Sequence, residues 1–141
     1  MKNAKFFFEE KIFFSNFSPK FRHGIFDTMA SKKKRRIKDM LIQADKRGNT
    51  LYVHLQGEMD EHSAVQARRD ADRLADSFAL GERAVFDLQN VSFMDSTGIG
   101  FLIGRYKKFQ RYGIPMYVTN PSQSTDKILS ISGVYALIPR I

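Results

Sequence analysis

The sequence contains no cysteine, and this absence excludes a disulfide framework, a thiolate metal site and a cysteine nucleophile. It also agrees with a reducing compartment, so we expect a cytoplasmic protein. No apolar run approaches the roughly 18 residues that a membrane-spanning helix needs. The sequence therefore predicts no membrane span.

Motifs of catalysis and metal binding are missing as well. The three histidines show no ligand spacing, and there is neither a Walker A sequence nor a complete Gly-x-Gly-x-x-Gly loop. Gly98-x-Gly100 lacks the third glycine of such a loop. No nucleophile stands at a plausible spacing from a base. We expect a protein that is not an enzyme, with no catalytic residue, no metal and no cofactor.

Basic charge is concentrated at the head of the chain. Residues 1–40 hold 11 of the 23 Lys and Arg residues but only 4 of the 15 Asp and Glu residues. We interpret residues 1–40 as an N-terminal extension that is disordered, or not natively translated because Met29 or Met40 is the true start. An anchor for anionic lipid or RNA at residues 32–38 is a further alternative. Residues 41–141 are nearly neutral, and we expect no nucleic-acid binding from them.

From residue 41 onward, the pattern of apolar residues is regular. Alternation predicts a strand at 51–56, and a nearly continuous apolar run predicts a buried strand at 84–88. Three- and four-residue steps predict helices at 64–78 and 96–111. A strand at 116–118, a short helix opened by Pro121 and Ser122 and ended by Gly133, and a last strand at 135–138 complete the order. This order is typical of an α/β layer fold.

Three details of this interpretation concern the connections between elements. Ser63 is a candidate cap of the first long helix. Gly57–Asp60 is expected to break the strand before that helix, and residues 89–95 are expected to form a loop. Glu58 and Asp60 have no visible chemical partner, so a solvated loop is the default for them.

The most informative stretch is VSFMDSTGIG, residues 91–100. Ser96 lies at a strand-to-helix junction, where its hydroxyl is suited to a plain N-cap. A helix N-terminus also tolerates a phosphate, which brings about −1.5 to −2 charges and three acceptor oxygens. A phosphate on Ser96, next to Asp95, would repel a docked partner. The position is therefore also suited to a switch whose output is binding.

The segment LQNVSFMDSTGIGFLIGRY, residues 88–106, resembles the anti-sigma factor antagonist family built on the STAS domain, and within it the sporulation members. Gly57-Glu58-Met59-Asp60 upstream and Ile131-Ser132-Gly133-Val134 downstream extend the resemblance to residues 41–141. The resemblance implies a STAS-like single domain with a mixed central sheet and helices packed against it.

The family's function is carried over with the resemblance. It implies an anti-anti-sigma factor whose unphosphorylated form binds an anti-sigma factor, itself a serine kinase with an ATP fold, and releases the sigma factor. Phosphorylation of Ser96 would then end binding, and a serine phosphatase would restore it. The surface that faces the partner would include Glu58, Asp60, Asp95, Thr97 and Gly98. A STAS scaffold or sensor in another partner-switching pathway is the alternative function.

Three features depart from the family. Thr97 stands where the sporulation members have a second serine, which makes it a conceivable minor phosphate acceptor. Ile99 replaces a common leucine, a tolerated apolar exchange. Residues 41–141 are also expected to lack the family's last C-terminal helix, which would leave a strip of apolar sheet exposed. Cover by the phenylalanines of residues 1–38 and a truncated reading frame are the two explanations for this.

Overall fold

The computed structural model describes residues 39–141, and the interpretations of residues 1–38 lie outside the described residues. In chain order the elements are β1 (Leu41–Arg47), β2 (Thr50–Met59), α1 (Glu61–Ser77), β3 (Arg83–Met94), α2 (Ser96–Arg111), β4 (Met116–Thr119), α3 (Gln123–Ser132) and a 3₁₀ helix (Val134–Ala136). The four strands form a mixed sheet in the order β1-β2-β3-β4. The predicted α/β fold class is confirmed.

Strand β3 is the central member of the three parallel strands. It pairs with β2 on one side and with β4 on the other, so that Ala84 lies between Leu51 and Met116. Ala84, Val85 and Phe86 are almost completely buried. An apolar run of this kind is typical of a parallel strand covered on both faces, which is why this strand was predictable from sequence.

The two long helices bury different kinds of side chain. Helix α1 buries an alanine stripe at the predicted spacing: Ala64, Ala67, Ala71 and Ala75. Helix α2 buries Phe101, Leu102 and Phe109, and both phenylalanine rings pack edge-on against Phe86 at centroid distances of 6.4 and 6.1 Å. The 3.6-residue period thus identified the inward face of α1, whereas on α2 it identified Leu102 and Phe109 but missed Phe101 and Arg105.

Strands β2 and β3 extend further than the sequence predicts. Strand β2 continues through Gly57 to Met59, and β3 continues through the expected loop to Met94. The register shifts twice, between His54 and Gln56 and between Gly57 and Glu58, and each shift places one more residue on β3 than on β2. These β-bulges interrupt the alternation without ending the pairing, so the pattern falsely indicates a loop.

The expected last strand is a 3₁₀ helix instead. Gly133 ends α3 in the left-handed region at φ 79°, as the sequence predicts for a helix-ending glycine. The next backbone donors are then satisfied locally, because Ala136 N–H donates to Gly133 O and Leu137 N–H donates to Val134 O. In place of a strand, the C-terminal residues pair with β4 through a bridge between Val118 and Arg140, beside which Thr119 Oγ1 donates to Ile141 O at 3.1 Å. Among residues 39–141, none of the helices has the length and hydrophobicity that crossing a bilayer requires.

Candidate functional site

The candidate site is built where β2 and β3 end side by side. Met59 lies opposite Met94 in the parallel register, and each strand stops at that residue. The next residue in each case is an aspartate, and the residue after it begins a helix. Because the strands are parallel and in register, the N-termini of α1 and α2 emerge at the same edge of the sheet.

Asp60 caps helix α1. Its Oδ1 accepts a hydrogen bond from Ser63 N–H at 2.9 Å, and Ser63 Oγ accepts one from Asp60 N–H at 3.1 Å. This reciprocal pair is a capping box, in which Ser63 is the third helical residue. The prediction that Ser63 is the cap is therefore wrong. Residue 60 has the extended backbone that a cap needs, with φ −123°, because it directly follows a strand.

Asp95 caps helix α2 in the same way. Its Oδ1 accepts a hydrogen bond from Thr97 N–H at 2.8 Å. The interpretation of Ser96 as an N-cap is therefore wrong, since Ser96 is the first helical residue. Its side chain is exposed, and its hydroxyl makes no hydrogen bond to any residue of 39–141. The Ser96 hydroxyl therefore does not cap α2, contrary to the prediction from sequence.

The other predicted site residues lie around Ser96 at this end of the sheet. Thr97 is half-buried, and its backbone N–H is held by Asp95. Gly98 is buried, and a Cβ atom there would lie 2.2 Å from Met94 Cγ and 3.1 Å from Met59 Cγ. Glu58 is half-buried and lies opposite Phe93 in the register. The register and the capping bonds thus bring the predicted residues to one edge of the sheet.

The charge at this edge is of one sign. Segments 57–65 and 89–104 contain four carboxylates, those of Glu58, Asp60, Glu61 and Asp95, and neither lysine nor arginine. The positive ends of the two helix dipoles stabilise the capping aspartates. The site is therefore acidic, and its two capping carboxylates are already engaged by backbone donors.

Phe93 is the site residue that the sequence did not single out. It is 47% exposed, whereas its neighbour Met94 is only 3% exposed. Strict alternation from buried Val91 would place residue 93 inside and residue 94 outside. The bulge at Ser92, whose Oγ donates to Gly57 O at 3.2 Å, reverses the two. No signal in the single sequence distinguishes this bulge from the end of a strand.

A second polar cluster lies across β2, β3 and the residue after β4. Asp87 Oδ2 lies 3.0 Å from His54 Nδ1, and Asp87 Oδ1 accepts from Asn120 Nδ2 at 3.2 Å. Burial raises the pKa of Asp87, but hydrogen bonds from Gln89 N–H, Asn120 and His54 outweigh it and bring the pKa below its usual value. Residues 39–141 contain no group of three or more His, Asp or Glu side chains that could hold a metal ion.

Arg105 is a buried cation between the two long helices. It is 8% exposed, its Nε lies 2.9 Å from Asp72 Oδ1, and its guanidinium lies 5.1 Å from the Phe101 ring centroid. Burial lowers the pKa of Arg105, which the Asp72 charge partly offsets. The sequence pattern gave no sign that an arginine of α2 is buried.

Comparisons with known proteins agree with this architecture. Residues 42–141 match the family model described as the STAS domain. The chain is 31% identical to the anti-sigma F factor antagonist of Paenibacillus polymyxa over 101 residues, which cover 72% of this chain and 86% of that protein. It is also 31% identical to the anti-sigma-B factor antagonist of Bacillus subtilis over 90 residues, which cover 64% and 80% of the two chains.

Solved structures share the fold. The unphosphorylated form of the anti-sigma factor antagonist SpoIIAA matches with a TM-score of 0.59 and 24% identity, covering 72% of this chain and 88% of that one. Its phosphorylated Bacillus form matches with a TM-score of 0.55 and 24% identity, covering 72% and 91%. The family match, the relatives and the fold lead to one conclusion: the chain belongs to the STAS domain family of anti-sigma factor antagonists.

Proposed function

We propose that this protein is an anti-sigma factor antagonist switched by phosphorylation of Ser96. In its unphosphorylated form it binds an anti-sigma factor that is also a serine kinase, and the sigma factor is released. The observation that carries the proposal is the exposed, unengaged hydroxyl of Ser96 at the start of α2, where β2 and β3 end. The names of the relatives support the antagonist role.

Phosphorylation at this position changes binding more than it changes the fold. The first turn of a helix has unpaired N–H groups and a positive dipole end, which together accommodate an anion. Asp95 already accepts from Thr97 N–H, so a phosphate on Ser96 adds its charge beside an engaged carboxylate. A partner that docks here would have to remove water from both anions, which is costly.

The chemistry itself belongs to the partner. The Ser96 Oγ attacks the γ-phosphorus of ATP, the bond to the β-phosphate oxygen breaks, and ADP leaves while the hydroxyl proton is lost to a base of the kinase. This protein contributes the accessible nucleophile and the surface that holds the kinase. A serine phosphatase then hydrolyses the phosphoserine and restores the binding form.

The test uses the full chain and the anti-sigma factor encoded in the same genome. Immobilised protein should retain the anti-sigma factor with ADP and release it with ATP, as the phosphate appears on Ser96 by mass spectrometry. Ser96→Ala should retain the partner with both nucleotides, whereas the matched control Thr97→Ala should still be phosphorylated and released. Undiminished phosphorylation of Ser96→Ala, or equal retention of the wild type with both nucleotides, would refute the switch.

A further inference from the structure

The bulge at Ser92 exposes an aromatic ring beside the switch serine. Gly57 is paired with Val91, and the next residue of β2, Glu58, is paired with Phe93. Ser92 is therefore an extra residue on β3 that has no partner in the register. The extra residue turns Phe93 outward and Met94 inward, so that 47% of Phe93 is exposed three residues before Ser96. Bulges of this kind re-aim side chains next to functional sites.

The inward turn of Met94 is explained by packing, but the outward turn of Phe93 is not. Met94 fills the space beneath Gly98, where even a single added carbon atom would clash with it. Phe93 gains no comparable burial, and a half-exposed phenyl ring leaves apolar surface in water. Aromatic residues, phenylalanine among them, are enriched at the buried core of protein–protein interfaces.

We propose that Phe93 is the anchor by which this protein holds its anti-sigma factor, an inference that rests on the function proposed above. The ring enters an apolar pocket on the partner. The partner's surface around that pocket carries basic side chains, because Glu58 lies opposite Phe93 and Glu61 begins the neighbouring helix, with no lysine or arginine in segments 57–65 and 89–104. Rim charges of opposite sign steer and orient such a contact.

The anchor also gives the phosphate a specific way to act. Ser96 follows Phe93 by three residues, and both side chains are exposed where β3 ends and α2 begins. A partner that buries the Phe93 ring therefore also covers the residue-96 side chain. A neutral hydroxyl can be desolvated there at modest cost, whereas a phosphate dianion cannot. Phosphorylation therefore releases the partner by preventing burial of Phe93, even though the rim is basic.

The experiment measures the dissociation constant between the full chain and the anti-sigma factor of the same genome in the presence of ADP. Phe93→Ala should weaken binding by about tenfold or more, and Phe93→Leu should weaken it less, because leucine retains part of the apolar surface. The matched control is Leu80→Ala, which removes a 98% exposed apolar side chain that follows α1. The affinity of Leu80→Ala for the anti-sigma factor should equal that of the wild type.

A second arm tests the link to phosphorylation. Ser96→Asp should weaken binding about tenfold or more in the wild-type background but about threefold or less in the Phe93→Ala background, since coupled residues are not additive. Thermal unfolding of each variant establishes that it is folded. Additive losses would overturn the link between the phosphate and the ring.

The outcomes separate this inference from the proposed function. Wild-type binding together with an unchanged affinity for Phe93→Ala would overturn the anchor and leave the proposed function standing. Absence of wild-type binding would overturn both. If Phe93→Ala proves unfolded, Phe93→Leu decides, and an affinity of Phe93→Leu equal to that of the wild type overturns the anchor.

Discussion

Gly98 packs so closely on Met94 that a Cβ atom added at residue 98 would lie 2.2 Å from Met94 Cγ. The contact joins the first turn of α2 to the end of β3 and leaves no space for another carbon atom. Gly98, two residues after Ser96, thus has a packing role that can be tested separately from binding.

Gly98→Ala should destabilise the protein. The new methyl group forces Met94 to move in a well-packed core, and overpacking of this kind costs about 1–3 kcal/mol. Gly100→Ala is the matched control in the same helix, because a Cβ atom added at residue 100 would meet no atom within 4 Å. That change should stabilise the protein by up to about 1 kcal/mol through helix propensity. Urea unfolding measures both, and equal effects of the two substitutions would contradict the packing explanation.

The contribution of the Asp95 hydrogen bond to stability can be measured separately from the contribution of its charge. Asp95→Ala removes the acceptor of the Thr97 N–H hydrogen bond and should lower the free energy of unfolding by about 0.5–2 kcal/mol. Asp95→Asn retains a side-chain oxygen at the same place, so its stability should stay close to that of the wild type. Chemical denaturation distinguishes the two variants. A loss for asparagine as large as that for alanine would show that the cap does not depend on the hydrogen bond.

Removing only Asp72 from its ion pair with Arg105 should lower the free energy of unfolding. Asp72→Ala leaves the 8% exposed Arg105 without its counter-charge. We expect a loss of about 2 kcal/mol, below the 3–5 kcal/mol of a fully buried pair, because the Asp72 side chain is 36% exposed.

Two further variants provide the controls for that prediction. Adding Arg105→Met to Asp72→Ala should recover part of the loss, since no unpaired charge is then left inside. Arg73→Ala removes a 73% exposed side chain on the same helix, and should change stability by no more than about 0.5 kcal/mol. A double variant less stable than Asp72→Ala would argue that the guanidinium contributes through packing alone.

The Asp87 cluster predicts a loss of stability in acid. The pKa of Asp87 is lower in the folded protein than the unfolded value of about 3.9, so the carboxylate contributes stability above that pH. The contribution is lost as the pH falls through the folded pKa. Urea unfolding between pH 5 and pH 2 should therefore show a steeper decline for the wild type than for Asp87→Asn. An NMR titration that places the Asp87 pKa at or above 3.9 would contradict this.

Local periodicity was sufficient for the elements that pack by a regular pattern. The alanine stripe of α1 repeats at helical spacing, and the nearly continuous apolar run around Phe86 is typical of a buried parallel strand. Gly133 likewise indicates the end of α3, because a residue without a Cβ adopts φ 79° most easily. Each of these signals lies within one segment and requires no knowledge of its neighbours.

The caps were misplaced by short distances for a physical reason. Ser63 and Ser96 are good cap residues by type, yet Asp60 and Asp95 take that position. The cap is the residue at which extended backbone turns into helix, and both strands continue further than their alternation indicates. Where a strand ends depends on pairing with the adjacent strand, which one segment does not encode.

From the amino-acid order alone followed the fold class, the alanine face of α1 and the position of Ser96 at the junction of a strand and a helix, since these depend on composition and spacing along the chain. The three-dimensional structure alone decided that Asp60 and Asp95 stand side by side, that Arg105 is buried and that Phe93 faces solvent while Met94 does not. Those facts arise from the register between two parallel strands and from the packing of two helices. Register and packing belong to pairs of segments, so neither segment reveals them by itself.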